Sequence, residues 1–237
     1  MSAPTPYREP LPAALRAAMR GDFAPVAPLA PPSRRALALT LPALVVLSAV
    51  VLVIAPDRGN LGLLSPTAGG VSLLEWLAAF GLLWLSLREA VPGLGAGGGR
   101  AFAALAAGIG LQLALALLIW RRSGAGISGP DALAVGSRCA SIEGAIGLPH
   151  LAIATWLAVR ALPIRPRWSG ALVGAAAGLL ADSVWLLSCA RYDLEYLLIG
   201  HFGATVALTL VGMISGSFWP GREVVVFESA SGRPSSA

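Results

Sequence analysis

The stretch SGALVGAAAGLLADSVWLLSC, residues 169–189, decides the fold. It carries one charge, Asp182, in a run long enough to cross the hydrocarbon of a bilayer, which takes about 20 mostly apolar residues. Comparable runs lie at about 36–55, 70–89, 101–120, 139–159 and 196–218. The whole chain agrees with them. Its 237 residues are 56% hydrophobic and 12% charged, where a soluble domain carries about 25% charge. Runs of this length favour helices over a barrel, whose strands would alternate with a period of two. The sequence therefore predicts an all-α integral membrane protein with six transmembrane helices. The first run lies behind a polar, Pro-rich segment and is longer than the core of a signal peptide, so it is expected to be a retained helix.

Charge sets the expected orientation. All 17 basic residues are arginine. With the N-terminus inside, Arg8, Arg16, Arg20, Arg34, Arg35, Arg88, Arg100, Arg160, Arg165, Arg167, Arg222 and Arg233 are cytoplasmic. Arg58, Arg121, Arg122, Arg138 and Arg191 are then outside. The positive-inside rule favours both termini in the cytoplasm, with the pair Arg121 and Arg122 running against it. Trp76, Trp120, Trp168 and Trp219 are expected at span ends, at the lipid–water interface. No basic patch with interleaved aromatics is present, so direct binding of nucleic acid is not expected.

Three segments follow: a cytoplasmic head at 1–35, the bundle at 36–218 and a polar tail at 219–237, expected to be disordered. Within the head, EPLPAALRAAMRGDF repeats Leu11, Leu15, Met19 and Phe23 every four residues, an apolar stripe on a short helix. Such a helix suits either the membrane surface or a partner's groove. The spacer APVAPLAPP follows it. The Gly-rich VPGLGAGGGR at 91–100 lacks the Lys-Ser/Thr of a phosphate loop and reads as a turn. Gly170, Gly174 and Gly178, spaced by four, make a face for close helix packing.

The chain has two cysteines and two histidines. In the expected orientation, Cys139 opens helix four and Cys189 closes helix five, both at the extracytoplasmic face. Glu143 lies one turn deeper than Cys139 on the same face. Asp182 lies two turns deeper than Cys189, and His201 about one and a half turns into helix six. Acidic groups inside spans usually face the bundle interior. Two thiols, an imidazole and carboxylates form a set suited to Cu, Zn or Cd. An oxidising compartment would equally suit a disulfide. A third reading is plain structure: small apolar cysteines and an interhelical hydrogen-bonding histidine. His150, about 16 Å from Cys139 along the helix, is too deep for the same set. No Ser/His/Asp set shares a depth, so an enzyme is not expected. A small transporter or metal-handling permease is the alternative, although no inverted repeat is evident.

The order of residues is familiar. CASIEGAIGLP places Pro149 ten residues after Cys139. VRALPIRPRWSGALVGAAAGLLADSVWLLSC then runs through Pro163 and Pro166 to Cys189, and the head reads FAPVAPLAPPSRRALALTLP. Over essentially its whole length the chain resembles the NrsF-type family of six-span bacterial membrane anti-sigma factors. The resemblance implies an inner-membrane protein that holds an extracytoplasmic-function sigma factor in the off state. It implies a cytoplasmic sigma contact and a cysteine pair, here Cys139 and Cys189, that senses heavy metal or redox stress. No cofactor is required; a metal ion would be regulatory. Placing the sigma contact on Leu11, Leu15, Met19 and Phe23 rests on the stripe. The resemblance matches His201 to no motif; it is singled out by position alone, as are Glu143 and Asp182.

Overall fold

The computed structural model describes residue 13 and residues 30–54, 66–89, 95, 97–127, 131–161, 163–188 and 191–219. These residues form helices and their connections, with no strand among them. The helices are α1 (Pro32–Ile54), α2 (Pro66–Glu89), α3 (Gly98–Ser123), α4 (Ala132–Val159), α5 (Pro166–Trp185) and α6 (Leu194–Gly216). Proline occupies the first position of α1, α2 and α5, where its missing N–H costs nothing and its fixed φ suits the helix. Gly124 closes α3 at φ 68°, a left-handed conformation natural to glycine.

Helices α2 to α6 are each long and apolar enough to cross a membrane, so the chain is a multi-pass membrane protein. The 23-residue α1 precedes them. Large apolar side chains face outward, as a bilayer requires: Val45, Val46, Phe102, Ile153 and Trp156 are all exposed. Most helices begin earlier than the apolar runs did. Arg34 and Arg35, assigned to the head, lie in the first turn of α1. The largest difference is α4, which starts at Ala132 rather than 139. Arg138 interrupted the apolar run, yet its side chain is exposed and leaves the helix intact. Cys139 therefore lies two turns inside α4 and not at its mouth. Trp120, Trp168 and Trp219 fall at helix ends as expected. Trp76 does not: it lies mid-way along α2 and stacks on Phe80 at 6.4 Å between ring centroids.

Helix α5 is the axis of the bundle. Of its most apolar window 94% is buried, against 28–44% in the other four spanning helices. Its most extensive contact is with α6, followed by α2 and α4. The seam with α6 is backbone on backbone. A methyl group on Gly170 would run into the carbonyl of Gly212, and one on Gly174 into that of Leu208. A methyl on Gly178 would stand 2.6 Å from Thr205 Cα. Gly212 and Gly216 answer from α6, against Gly170 and Pro166. The spacing of four seen in the sequence is this contact, since residues i and i+4 lie on one helix face.

Polar ties fix the other helices. Ser86 of α2 meets Ser169 at 2.7 Å between hydroxyls, and the Arg35 guanidinium donates to the carbonyl of Leu157 at 2.6 Å. At the opposite end, the α3–α4 loop is bound to the start of α6. The amides of Leu194 and Glu195 donate to the carbonyls of Gly126 and Ile127. Arg191 bridges Asp131 at 2.8 Å and Asp193 at 2.7 Å. The hydrogen bond from Arg191, helped by its charge, holds Asp131 below the usual carboxylate range. This tie is therefore present above the ordinary carboxylate pKa of about 4. It is lost only as pH falls through the depressed value. Hydrogen exchange at Leu194 and Glu195 should stay slow from pH 7 to 5 and accelerate below about pH 4. Arg191→Ala should give fast exchange there at every pH, with the rest of the bundle unchanged.

Candidate functional site

The bundle interior holds a polar cluster to which α2 through α6 each contribute. Its centre is His201. Helix α6 begins with an α turn (Leu194–Tyr196), widens to a π-helical turn (Leu197–Phe202) and resumes as α from Gly203 to Gly216. Residues five apart diverge on a regular α-helix; the wider turn brings Tyr196 and His201 together, with ring centroids 5.5 Å apart. His201 Nδ1 lies 2.6 Å from Asp182 Oδ1 and 3.4 Å from Glu143 Oε2. Its Nε2 lies 3.8 Å from Cys139 Sγ. The sequence-derived set Cys139, Glu143, Asp182 and His201 is thus assembled at one point, and all four residues are buried. Cys189 and the head residues Leu11, Leu15, Met19 and Phe23 lie outside the described residues. His150 is apart, as expected, lining a different cavity.

Five residues that the sequence reading did not single out complete the cluster. Gln112 donates to Asp182 Oδ2 at 2.6 Å and to Thr205 Oγ1 at 2.9 Å. Glu75 hydrogen-bonds to Asp182. Trp185 Nε1 donates to Cys139 Sγ at 2.8 Å, and the Tyr196 hydroxyl donates to the same sulfur at 3.1 Å. A signal for two of them existed. Glu75 is the one acidic residue inside the apolar part of α2, and Gln112 the one strongly polar residue in the run 101–120. The rule that marked Asp182, that intramembrane polar groups face the interior, applies to both.

Two chemical features follow. The first is the sulfur. An indole N–H can only donate, and the Tyr196 hydroxyl also donates here. With Asp182 accepting from Nδ1–H of His201, one proton is shared between Nε2 and Sγ. Two neutral donors and an imidazole nitrogen thus surround the sulfur, an arrangement that can take up the thiol proton and leave a thiolate, the form that attacks oxidants and binds metals. The second feature is an excess of acceptors. Both oxygens of Glu143, Oε2 of Glu75 and Oε1 of Gln112 are buried without a hydrogen-bond donor. A hydrogen bond between the carboxyl groups of Glu75 and Asp182 itself requires a shared proton. Buried carboxylates without donors cost several kcal/mol unless a proton or cation neutralises them. One ligand atom each from Glu143, Asp182 and His201 lies within 4.8 Å of the others, close enough to share an ion.

The family model for NrsF, described as negative regulator of sigma F, matches residues 20–219. The chain belongs to the NrsF family. The match takes in every helix described above and the complete polar cluster. It bears out the family resemblance drawn from the cysteines and prolines, and the family's description is that of a negative regulator of a sigma factor. No curated protein and no solved structure matches the chain.

Proposed function

We propose that this NrsF-family chain is an anti-sigma factor of the bacterial inner membrane, with six spans and both termini cytoplasmic. It sequesters an extracytoplasmic-function sigma factor and releases it when an extracytoplasmic signal reaches Cys139. The single observation that supports the sensor reading most is the donor shell of Trp185, Tyr196 and His201 around that sulfur. A structural cysteine needs no such shell. Cys189 is the second thiol in this reading, and the pair acts either by binding metal or by forming a disulfide. Glu143, Asp182 and His201 would add ligands for Zn or Cd, and the thiolates would serve Cu equally. The unmatched oxygens of Glu143 fit that use. The sigma factor docks on the head stripe Leu11, Leu15, Met19 and Phe23. To turn a 1:99 equilibrium into 99:1, the signal must favour the released state by about 5.5 kcal/mol.

Affinity capture from native membranes tests the partner. The full chain should retain a sigma factor, and a chain lacking residues 1–30 should lose it. Retention by both moves the contact to the cytoplasmic loops, and retention by neither rejects the regulator. Replacing Cys139 and Cys189 with serine should leave sigma-dependent transcription unresponsive to metal or oxidant; an undiminished response would remove the sensor role. A permease is the competing reading, because carboxylates and a histidine gathered from four helices also suit an ion path. It requires that deleting the gene change cellular metal content while sigma-dependent transcription stays the same.

A further inference from the structure

A cavity of about 770 Å³ lies between α1 and α4, away from the polar cluster, well within the range of about 300–1,000 Å³ typical of small-molecule sites. Its walls are aliphatic except at three places. His150 is 6% exposed, and its Nε2 has no hydrogen-bond partner. Pro42 in α1 and Pro149 in α4 both line the cavity. Each lacks the N–H that a helix would offer to the carbonyl four residues earlier. Those carbonyls belong to Ala38 and Ala145, which line the same cavity. Two prolines on facing helices thus remove donors beside an unpaired imidazole. The exposed side chains of Val46 and Ile153 rim the cavity on the outer surface of the bundle, so its mouth opens toward lipid.

We propose that this cavity binds a membrane quinone: a neutral ring bearing carbonyl or hydroxyl groups on an isoprenoid tail. His150 lies more than two turns from either end of α4, a depth that excludes charged headgroups. A plain acyl chain would fill the apolar space and leave Nε2 unpaired, at the cost of an unsatisfied buried group. The ring of a quinone meets both demands, its oxygen bonding His150 and its tail running out past Val46 and Ile153. The site does not depend on the sensor reading of Cys139.

The test uses the full chain in nanodiscs of pure phosphatidylcholine with a photoreactive azidoquinone carrying a decyl tail. Labelling should saturate, be competed by unlabelled decylubiquinone and map to peptides from α1 and α4. His150→Phe should weaken binding about tenfold, the worth of one hydrogen bond. Ala43→Leu, which fills the cavity without touching His150, should abolish saturable labelling. Labelling that spreads over all helices without competition would overturn the proposal, as would equal affinity in His150→Phe. A phospholipid carried through gel filtration by the detergent-purified wild type, and lost from Ala43→Leu, would overturn it too and assign the cavity to an acyl chain.

Discussion

Gly174→Ala is expected to destabilise the bundle by about 2–3 kcal/mol, and Gly174→Val is expected to prevent its assembly. The sign is what makes the first result informative. In a helix interior, glycine to alanine ordinarily stabilises by up to about 1 kcal/mol, because glycine loses more backbone freedom on folding. Here the new methyl would meet the carbonyl of Leu208 and stand 2.8 Å from Thr209 Cα. Those are backbone atoms, which cannot rotate aside as a side chain would. Overpacking costs roughly 1–3 kcal/mol where side chains can adjust; between two backbones the helices must separate. Gly110 of α3 is the control, since a methyl there meets nothing within 4 Å. Gly110→Ala should leave stability unchanged or raise it slightly. Thermal unfolding in mild detergent, followed by circular dichroism, measures both. Equal effects at the two positions would mean that α5 and α6 do not meet along this seam.

Asp182→Ala should be the most damaging change among the polar residues, at about 3–5 kcal/mol. The carboxylate accepts from His201 Nδ1 and from Gln112 Nε2, both at 2.6 Å, and pairs with Glu75. Removing it takes an acceptor away from His201 and Gln112 and a partner away from Glu75, all three of them buried. Asp182→Asn keeps an acceptor oxygen and the side-chain volume, so it should restore most of the stability. Function should part company with stability in that variant. A neutral amide no longer favours a proton on the imidazole that faces Cys139, so alkylation of Cys139 by a membrane-permeant maleimide should slow in a Cys189→Ser background. Any metal that Asp182 and His201 hold together should bind more weakly, because a neutral amide is a poorer ligand than a carboxylate. A variant as unstable as Asp182→Ala, or one that alkylates at the wild-type rate, would show that Asp182 does not tune the thiol.

Much of this architecture is legible in the sequence because the bilayer imposes strong rules. Apolar runs mark the helices, and the spacing of Gly170, Gly174 and Gly178 marks the tightest contact. Cys139, Glu143, Asp182 and His201 could be grouped because a charge inside a span must face the interior. The rest was hidden for identifiable reasons. Arg138 broke an apolar run without breaking a helix, which put Cys139 two turns too shallow. The π-helical turn has no sequence pattern of its own, so the meeting of Tyr196 with His201 could not be counted out in helical turns. Trp185 looks like any interfacial tryptophan until its N–H is seen pointing at a sulfur. The cavity at His150 depends on two prolines 107 positions apart in the chain facing each other across it, a coincidence that only tertiary structure reveals.

The glycine seam also has a mechanical side. Packed side chains usually give a helix pair some slack, because rotamers yield and a small shove dies out within a few residues. Between α5 and α6 there is almost nothing to yield. A shove delivered beside Asp182 and His201 must carry the two helices along together or not move them at all. Some 24 Å down the axis, at a rise of 1.5 Å per residue, the same pair ends at Pro166 and Gly216. What happens to one buried sulfur can thus be felt at the far mouth of the bundle through a stiff connecting rod, with no chain of side-chain rearrangements in between.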